Sequence, residues 1–359
     1  MIFISRLLKI LKKSMAVSKQ KRPRVLAIDL GYSSVKISFI DDNGSLVNYK
    51  MISAISELPE APLEIDNDTV FKLNEKWYVI GPNSLKLDRN YRLKLETYEQ
   101  MKAIYPVVIS YFLSKYSDIK WDKVAIGLSM AFSDKADDLL KFLYESLLIS
   151  PDTNFFVCLP QGLACKAAFA KYGQNVKDSN IHTTDNKLDS YVICDGGYLS
   201  IDICAVIDQK SAAGATIGIP DTGVICISRD IAEYIYKTYE YRISTKEAQT
   251  VVDSGILTRR GKVIDLSDVV DKYTRIYLAN VLNLLEEKYS SQLDASNGLL
   301  IVGGLSHFFA KYLNDEQFIK EVEKHFPVSF IHVPTDYGEY YNSISYMLIA
   351  EKLMGYVEQ

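Results

Sequence analysis

An α/β fold built from a duplicated unit is what the sequence predicts, and three observations predict it. The stretch Val25-Leu-Ala-Ile-Asp29-Leu-Gly31-Tyr32-Ser33-Ser34-Val35-Lys36-Ile37-Ser-Phe-Ile40 returns as Tyr191-Val-Ile-Cys-Asp195-Gly196-Gly197-Tyr198-Leu-Ser200-Ile201-Asp202-Ile203-Cys-Ala-Val206 at a constant, gapless offset of 166 positions, 195 minus 29. Asp29, Gly31, Tyr32 and Ser34 fall on Asp195, Gly197, Tyr198 and Ser200, and apolar Val35 and Ile37 fall on Ile201 and Ile203. Elsewhere, short apolar β-branched runs alternate with segments of helical period. Finally, 359 residues with 48% hydrophobic content suffice for two ordinary domains, each with its own core.

Each copy reads as a hairpin. A buried strand ends at Asp, Gly permits the tight turn, and alternating apolar residues begin the returning strand. In such a turn several backbone N–H groups can point into one concavity that suits a phosphate, and an Asp at the strand tip can hold a hydrated divalent cation. Two such turns can face one triphosphate. A single Asp-x-Gly between apolar strands is equally a plain β-turn. It is the repetition of the polar positions that marks a duplicated unit.

Bulk composition narrows the class. A net charge of −4 and a pI near 5.7 argue against a generic polyanion binder and against direct sequence-specific nucleic-acid binding. Cys158, Cys165, Cys194, Cys204 and Cys226 lie mostly in apolar runs without a Cys-x-x-Cys pair, the pattern of buried thiols in a reducing compartment. His182, His307, His325 and His332 have no metal-ligand spacing.

Residues 1–24 carry eight Lys or Arg and no acid, and Ile4, Leu7, Leu8, Leu11 and Met15 recur at helical spacing opposite Arg6, Lys9, Lys12 and Lys13. This reads as a basic amphipathic helix that contacts an anionic membrane through residues 1–15. A disordered basic tail, or a reading frame upstream of a start at Met15-Ala16, fits the same residues. After the first hairpin, Asp41-Asp-Asn-Gly44 turns the chain into a strand over Leu46–Ile52, so three strands make a meander. Residues 53–100 read as a small inserted subdomain with short strands at 70–73 and 76–80. Helical period returns over 98–116, followed by a strand over 123–129 and a helix over about 133–148. A buried strand then stops at Pro160, and Gln161 stands where it runs into an Ala-rich helix ending near Lys171. A neutral amide there can orient a water for in-line attack on a terminal phosphate, or can simply open a helix after proline.

Residues 173–190 form a polar surface loop. Beyond the second hairpin, residues 214–223 lead into an amphipathic helix over about 224–239, and Ser244-Thr-Lys-Glu247 opens another as a capping box. A helix over 267–292 places Val269, Val270, Tyr273, Ile276, Tyr277, Val281 and Leu284 on its apolar side. Gly298-Leu-Leu-Ile-Val302-Gly303-Gly304 is a buried strand ending in two glycines before a helix, where backbone can approach a ligand closely. A strand over 329–333, a loop and a helix over 342–354 finish the chain.

In this order the motifs resemble those of the actin, Hsp70 and sugar-kinase superfamily over residues 24–355. The resemblance implies an actin-like ATPase fold, two RNase H-like domains with mixed five-stranded sheets flanking an ATP cleft: residues 24–172 plus 336–359 with the insertion at about 53–100, and residues 173–335, preceded by the 1–23 extension. It assigns Asp29, Gly31, Ser33, Ser34 and Lys36 to a first phosphate loop, Asp195, Gly196 and Gly197 to a second, Leu159 to Ala164 to a connecting motif, and Gly303 and Gly304 to the adenosine motif. Glu247 falls where relatives contact the ribose. ATP and Mg²⁺ are the implied cofactors, with Asp29 and Asp195 holding the metal largely through water and Gln161 serving hydrolysis. Many bacterial actins carry Glu where Gln161 stands. The second connecting helix usually has a small residue and Gly near its start, whereas Asn342-Ser343-Ile344-Ser345 keeps the Asn and loses the Gly.

Compact length and Trp77-Tyr-Val-Ile-Gly81 look most like bacterial plasmid-segregation actins of the ParM, StbA and Alp type. The implied activity is slow, polymerisation-coupled ATP hydrolysis in a head-to-tail filament for plasmid or DNA segregation, with a DNA-binding adaptor as a further partner. The implied place is the cytoplasm, with a peripheral position at the inner membrane face as an extension. A membrane-associated scaffold like the MreB, FtsA and PilM proteins and a small-molecule kinase are the alternatives within the superfamily.

Overall fold

β1 (Val25–Leu30) is buried at every position, because the sheet around it is covered on both faces. The computed structural model describes residues 21–62, 67–95, 97–173, 189–296, 298–312, 315–325, 330–334 and 337–357. The expected basic helix over residues 1–15 and most of the loop over 173–190 lie outside the described residues. The described residues fall into two compact units, one of residues up to 171 with those from 340 on, and a second of residues 172–339.

In the first unit β1, β2 (Ser34–Ile40) and β3 (Leu46–Ile52) form the antiparallel meander, and β7 (Lys123–Leu128) and β8 (Phe156–Pro160) extend it in parallel, in the order β3-β2-β1-β7-β8. The period-two alternation of β1 sends Leu26, Ile28 and Leu30 into a core with Ile104, Tyr105, Val108 and Phe112 of α1 (Tyr98–Lys115) and with Leu139 and Leu143 of α2 (Ala136–Ser146). Val25 and Ala27 enter a separate core with Tyr346, Met347 and Ala350 of α9 (Tyr341–Leu353), beside Ala164 just ahead of α3 (Lys166–Tyr172). Asp29 follows Val25 and Ala27 along the strand and therefore emerges on the α9 side. The insertion is a three-stranded sheet of β4 (Ile55–Leu58), β5 (Val70–Leu73) and β6 (Lys76–Ile80), ordered β4-β6-β5.

The second unit repeats the plan. β9 (Tyr191–Gly196), β10 (Ser200–Ile207) and β11 (Lys210–Pro220) form the meander, and β14 (Gly298–Gly303) and β15 (Phe330–His332) lie parallel to β9, in the order β11-β10-β9-β14-β15. Its core gathers Val192, Cys194, Ile201 and Ile203 with α4 (Ile225–Tyr239), α5 (Thr245–Ser254), α6 (Ser267–Asp294), α7 (Gly304–Tyr312) and residues of α8 (Glu316–His325). Duplicated sequence has given duplicated topology.

Several details differ from the sequence reading. The stretch 210–220 is a strand, reached through Asp208 and Gln209, both at positive φ. A hairpin of β12 (Ile256–Arg259) and β13 (Lys262–Asp265) precedes α6. The buried face of α6 carries Leu278, Leu282 and Leu285, while Ile276, read as apolar-side, is 42% exposed. Thr274 takes a place on that face because its hydroxyl donates to Val270 O at 2.7 Å and so is buried with a partner. The helix expected over 133–148 is a 3₁₀ turn, Met130–Lys135, followed by α2. Among the described residues no helix is long and apolar enough to cross a membrane.

Candidate functional site

The two turns close alike. Gly31 N–H donates to Ser34 O at 3.0 Å, and Gly197 N–H donates to Ser200 O at 2.9 Å. Each is braced by its own surroundings. In the first turn Ser53, just past β3, donates its N–H to Ser33 O at 3.0 Å and its hydroxyl to Gly31 O at 2.6 Å. In the second, Gly223, Val224 and Ile225 donate to Leu199 O, Gly197 O and Tyr198 O. Gly223 is required for that approach, since a Cβ there would overlap the Tyr198 carbonyl.

Beneath the turns the copies diverge chemically. Asp29 stands directly across the ladder from Lys36, and Asp195 across from Asp202. Opposed residues of an antiparallel pair share a face. In the first unit Lys36 Nζ lies 3.3 Å from Asp29 Oδ2, a charge-balanced pair on a carboxylate that is 2% exposed. In the second, two carboxylates that are 5% and 3% exposed face the same side of the sheet. Asp202 escaped the sequence reading although it occupies the offset position of Lys36.

Gln161 joins the first cluster. Its Nε2 donates to Asp29 Oδ1 at 2.8 Å, so both oxygens of Asp29 are engaged, one by an amide and one by an ammonium. A carboxylate only accepts, which fixes the amide orientation and makes Oε1 the acceptor end of Gln161. The main chain at this position is also held: Gln161 N–H donates to Leu128 O at 2.8 Å. The side chain therefore serves the Asp29 cluster in addition to following Pro160.

In the second unit β14 brings Val302 beside Asp195 and Gly303 beside Gly196, at the carboxyl ends of parallel strands where open α/β sheets place ligands. Gly303 has φ +73°, and a Cβ on it would overlap Asp195 Oδ1 and sit 2.7 Å from Gly196 O. A Cβ on Gly196 would in turn overlap Leu305 of α7. These glycines thus allow the protein's own close packing around Asp195. Glu247 lies on α5 in the predicted capping box. Its Oε2 accepts from Ser244 N and Oγ, both at 2.8 Å, and its Oε1 is 3.9 Å from Arg259 Nη1.

Cys194, adjacent to Asp195, is not a nucleophile: burial pushes its thiol up, and the Asp195 and Asp202 charges push it further. Among the described residues no group of three or more His, Cys, Asp or Glu is assembled as a metal cage. A hard cation that keeps most of its water does not require one.

No protein-family model and no curated protein matches the sequence. Solved structures do match in fold. An archaeal actin homologue, Ta0583, superposes with TM-score 0.67 at 15% identity, over 91% of this chain and 99% of that one. A ParM in a 15-stranded filament from Clostridium botulinum gives 0.64 at 17% identity, over 91% and 98%. ParM of Bacillus thuringiensis with ATP gives 0.58 at 16% identity, over 93% and 99%. The chain has the actin-homologue fold.

Proposed function

We propose that the chain is an ATP-hydrolysing actin homologue that assembles head to tail into filaments, with segregation of plasmid or other DNA as its task. The observation that carries this reading is the cluster at the end of β1, where the Gln161 amide and Lys36 converge on buried Asp29. Support comes from the matching second turn, with Asp195 and Asp202 beneath it, and from neighbours described as ParM with ATP and as a ParM filament.

In this reading each turn tip, residues 31–34 in the first unit and 197–200 in the second, is a phosphate loop of its own unit. Gly303 and Gly304 border the adenosine, and Glu247 meets the ribose from its capping box. Asp29 holds the amide of Gln161 by its NH₂ end. The Oε1 end then accepts a hydrogen bond from the attacking water and aims its oxygen at the terminal phosphate without acting as a strong base. Lys36 sets an ammonium against the other oxygen of Asp29. Asp29 and Asp195 are the residues that would hold hydrated Mg²⁺, largely through its water. The ion, when bound, neutralises charge on the phosphates. The remaining residues bind and orient.

Composition favours an added partner. The apolar stripe Ile4, Leu7, Leu8 and Leu11 opposite Arg6, Lys9, Lys12 and Lys13 suits an anionic membrane surface.

Nucleotide affinity and phosphate release test the reading. Asp195→Ala weakens Mg²⁺-dependent ATP binding or turnover, and Cys194→Ala leaves them nearly unchanged. Unchanged affinity and hydrolysis in both Asp29→Ala and Asp195→Ala would remove the assignment.

A further inference from the structure

The first turn of α9 is unexpectedly polar for its surroundings. Asn342, Ser343 and Ser345 are 6%, 0% and 0% exposed. Polar side chains that deep cost stability unless they are bonded, and each is bonded to a different element of the first unit. Ser343 Oγ lies 2.7 Å from Ser38 Oγ of β2. Ser345 Oγ accepts from Ala168 N–H of α3 at 3.0 Å. Asn342 Oδ1 accepts from Gly162 N–H at 3.0 Å and from the Cys165 thiol at 3.2 Å.

Gly162 is where the chain after β8 has least freedom. Leu163 N–H donates to Gln161 O at 2.7 Å, and Gly162 itself has φ 68° and ψ −64°. This is the rarer and more strained of the two γ-turns, with Gln161 as its first residue. A strained turn persists only when its surroundings over-determine it. Here Leu128 O fixes the Gln161 N–H from one side, and Asn342 fixes the next N–H from the other.

We propose that Asn342 is a positioning residue for hydrolysis: by holding the Gly162 N–H it locks the γ-turn that aims Gln161 at Asp29. The assignment rests on the nucleotide reading above. Asn342 acts through Gln161. Asn342→Ala frees the turn, and Gln161 spends less time in the geometry that bonds Asp29.

The test uses the full chain with Mg-ATP. Hydrogen exchange at the Gly162 amide comes first, because it needs no nucleotide: protection is lost in Asn342→Ala and kept in Asn342→Asp, which retains an oxygen acceptor. Single-turnover hydrolysis falls about tenfold in Asn342→Ala while the ATP dissociation constant stays within about twofold, and Asn342→Asp recovers most of the rate. Added to Gln161→Ala, Asn342→Ala slows hydrolysis no further, since the group it aims is gone. Gly162→Ala, which strains the same turn from within, reproduces the loss if Asn342→Ala proves too unstable to purify. Rate losses that multiply in the double variant, or ATP affinity that falls along with the rate, would overturn the positioning role. A parent protein that binds no ATP would overturn the nucleotide reading and the inference with it, whereas normal ATP turnover with an unprotected Gly162 amide would overturn the inference alone.

Discussion

Gln161 donates its side-chain amide to Asp29 Oδ1 at 2.8 Å across 132 residues of sequence, tying the exit of β8 to the tip of β1. A glutamine that merely opened a helix would have no use for this bond. Gln161→Ala is expected to keep ATP affinity and to slow phosphate release on the order of a hundredfold. Equal turnover in variant and parent would return Gln161 to a structural role at the strand end.

Gly303 and Asp195 stand so close that no side chain fits between them. Gly303→Ala must accommodate a methyl group against Asp195 Oδ1 and the Gly196 carbonyl while keeping φ +73°. The expected cost is about 1–3 kcal/mol of stability, with displacement of Asp195 and weaker Mg²⁺-dependent ATP binding. Thermal unfolding and nucleotide titration of the same sample measure both. A variant with unchanged midpoint and affinity would contradict the packing described around Asp195.

His332 gives the second unit a pH signature. Burial lowers its pKa from the ordinary 6.5 to about 4, so between those values the unfolded chain binds a proton that the folded chain refuses. Stability therefore rises with pH across that window, is fully present above pH 6.5, and by linkage is reduced by roughly 3 kcal/mol near pH 4. His332→Leu is expected to flatten this part of the stability profile, measured as unfolding midpoint against pH. The same slope in variant and parent would show that other groups produce it.

The sequence made the duplicated sheets legible because the repeat preserves polar positions at the turns as well as apolar ones in the strands. Asp29, Gly31, Asp195 and Gly197 could be paired on paper for that reason. What the repeat concealed was its own exception: Lys36 and Asp202 share an offset and carry opposite charge, so Asp29 faces an ammonium across its ladder and Asp195 faces a carboxylate. β11 was hidden because Asp208 and Gln209 make its turn at positive φ without a glycine to announce it. The apolar face of α6 was drawn too far toward Ile276, since Thr274 satisfies itself within the helix. The bond from Gly162 to Asn342 spans 180 residues, and local periodicity carries no trace of such a contact. Capping was local and therefore readable, as Ser244 and Glu247 show.

In the proposed filament, nucleotide state controls assembly. A contact between unlike surfaces that does not close on itself produces an open filament, and ATP can favour the conformer that presents both surfaces. Pelleting with negative-stain microscopy, run with Mg-ATP, a non-hydrolysable analogue and ADP across salt and protein concentration, measures this directly. Persistent filaments are expected with the analogue, and filaments with ATP that shorten once it is spent. A soluble monomer in all three nucleotide conditions would contradict that expectation.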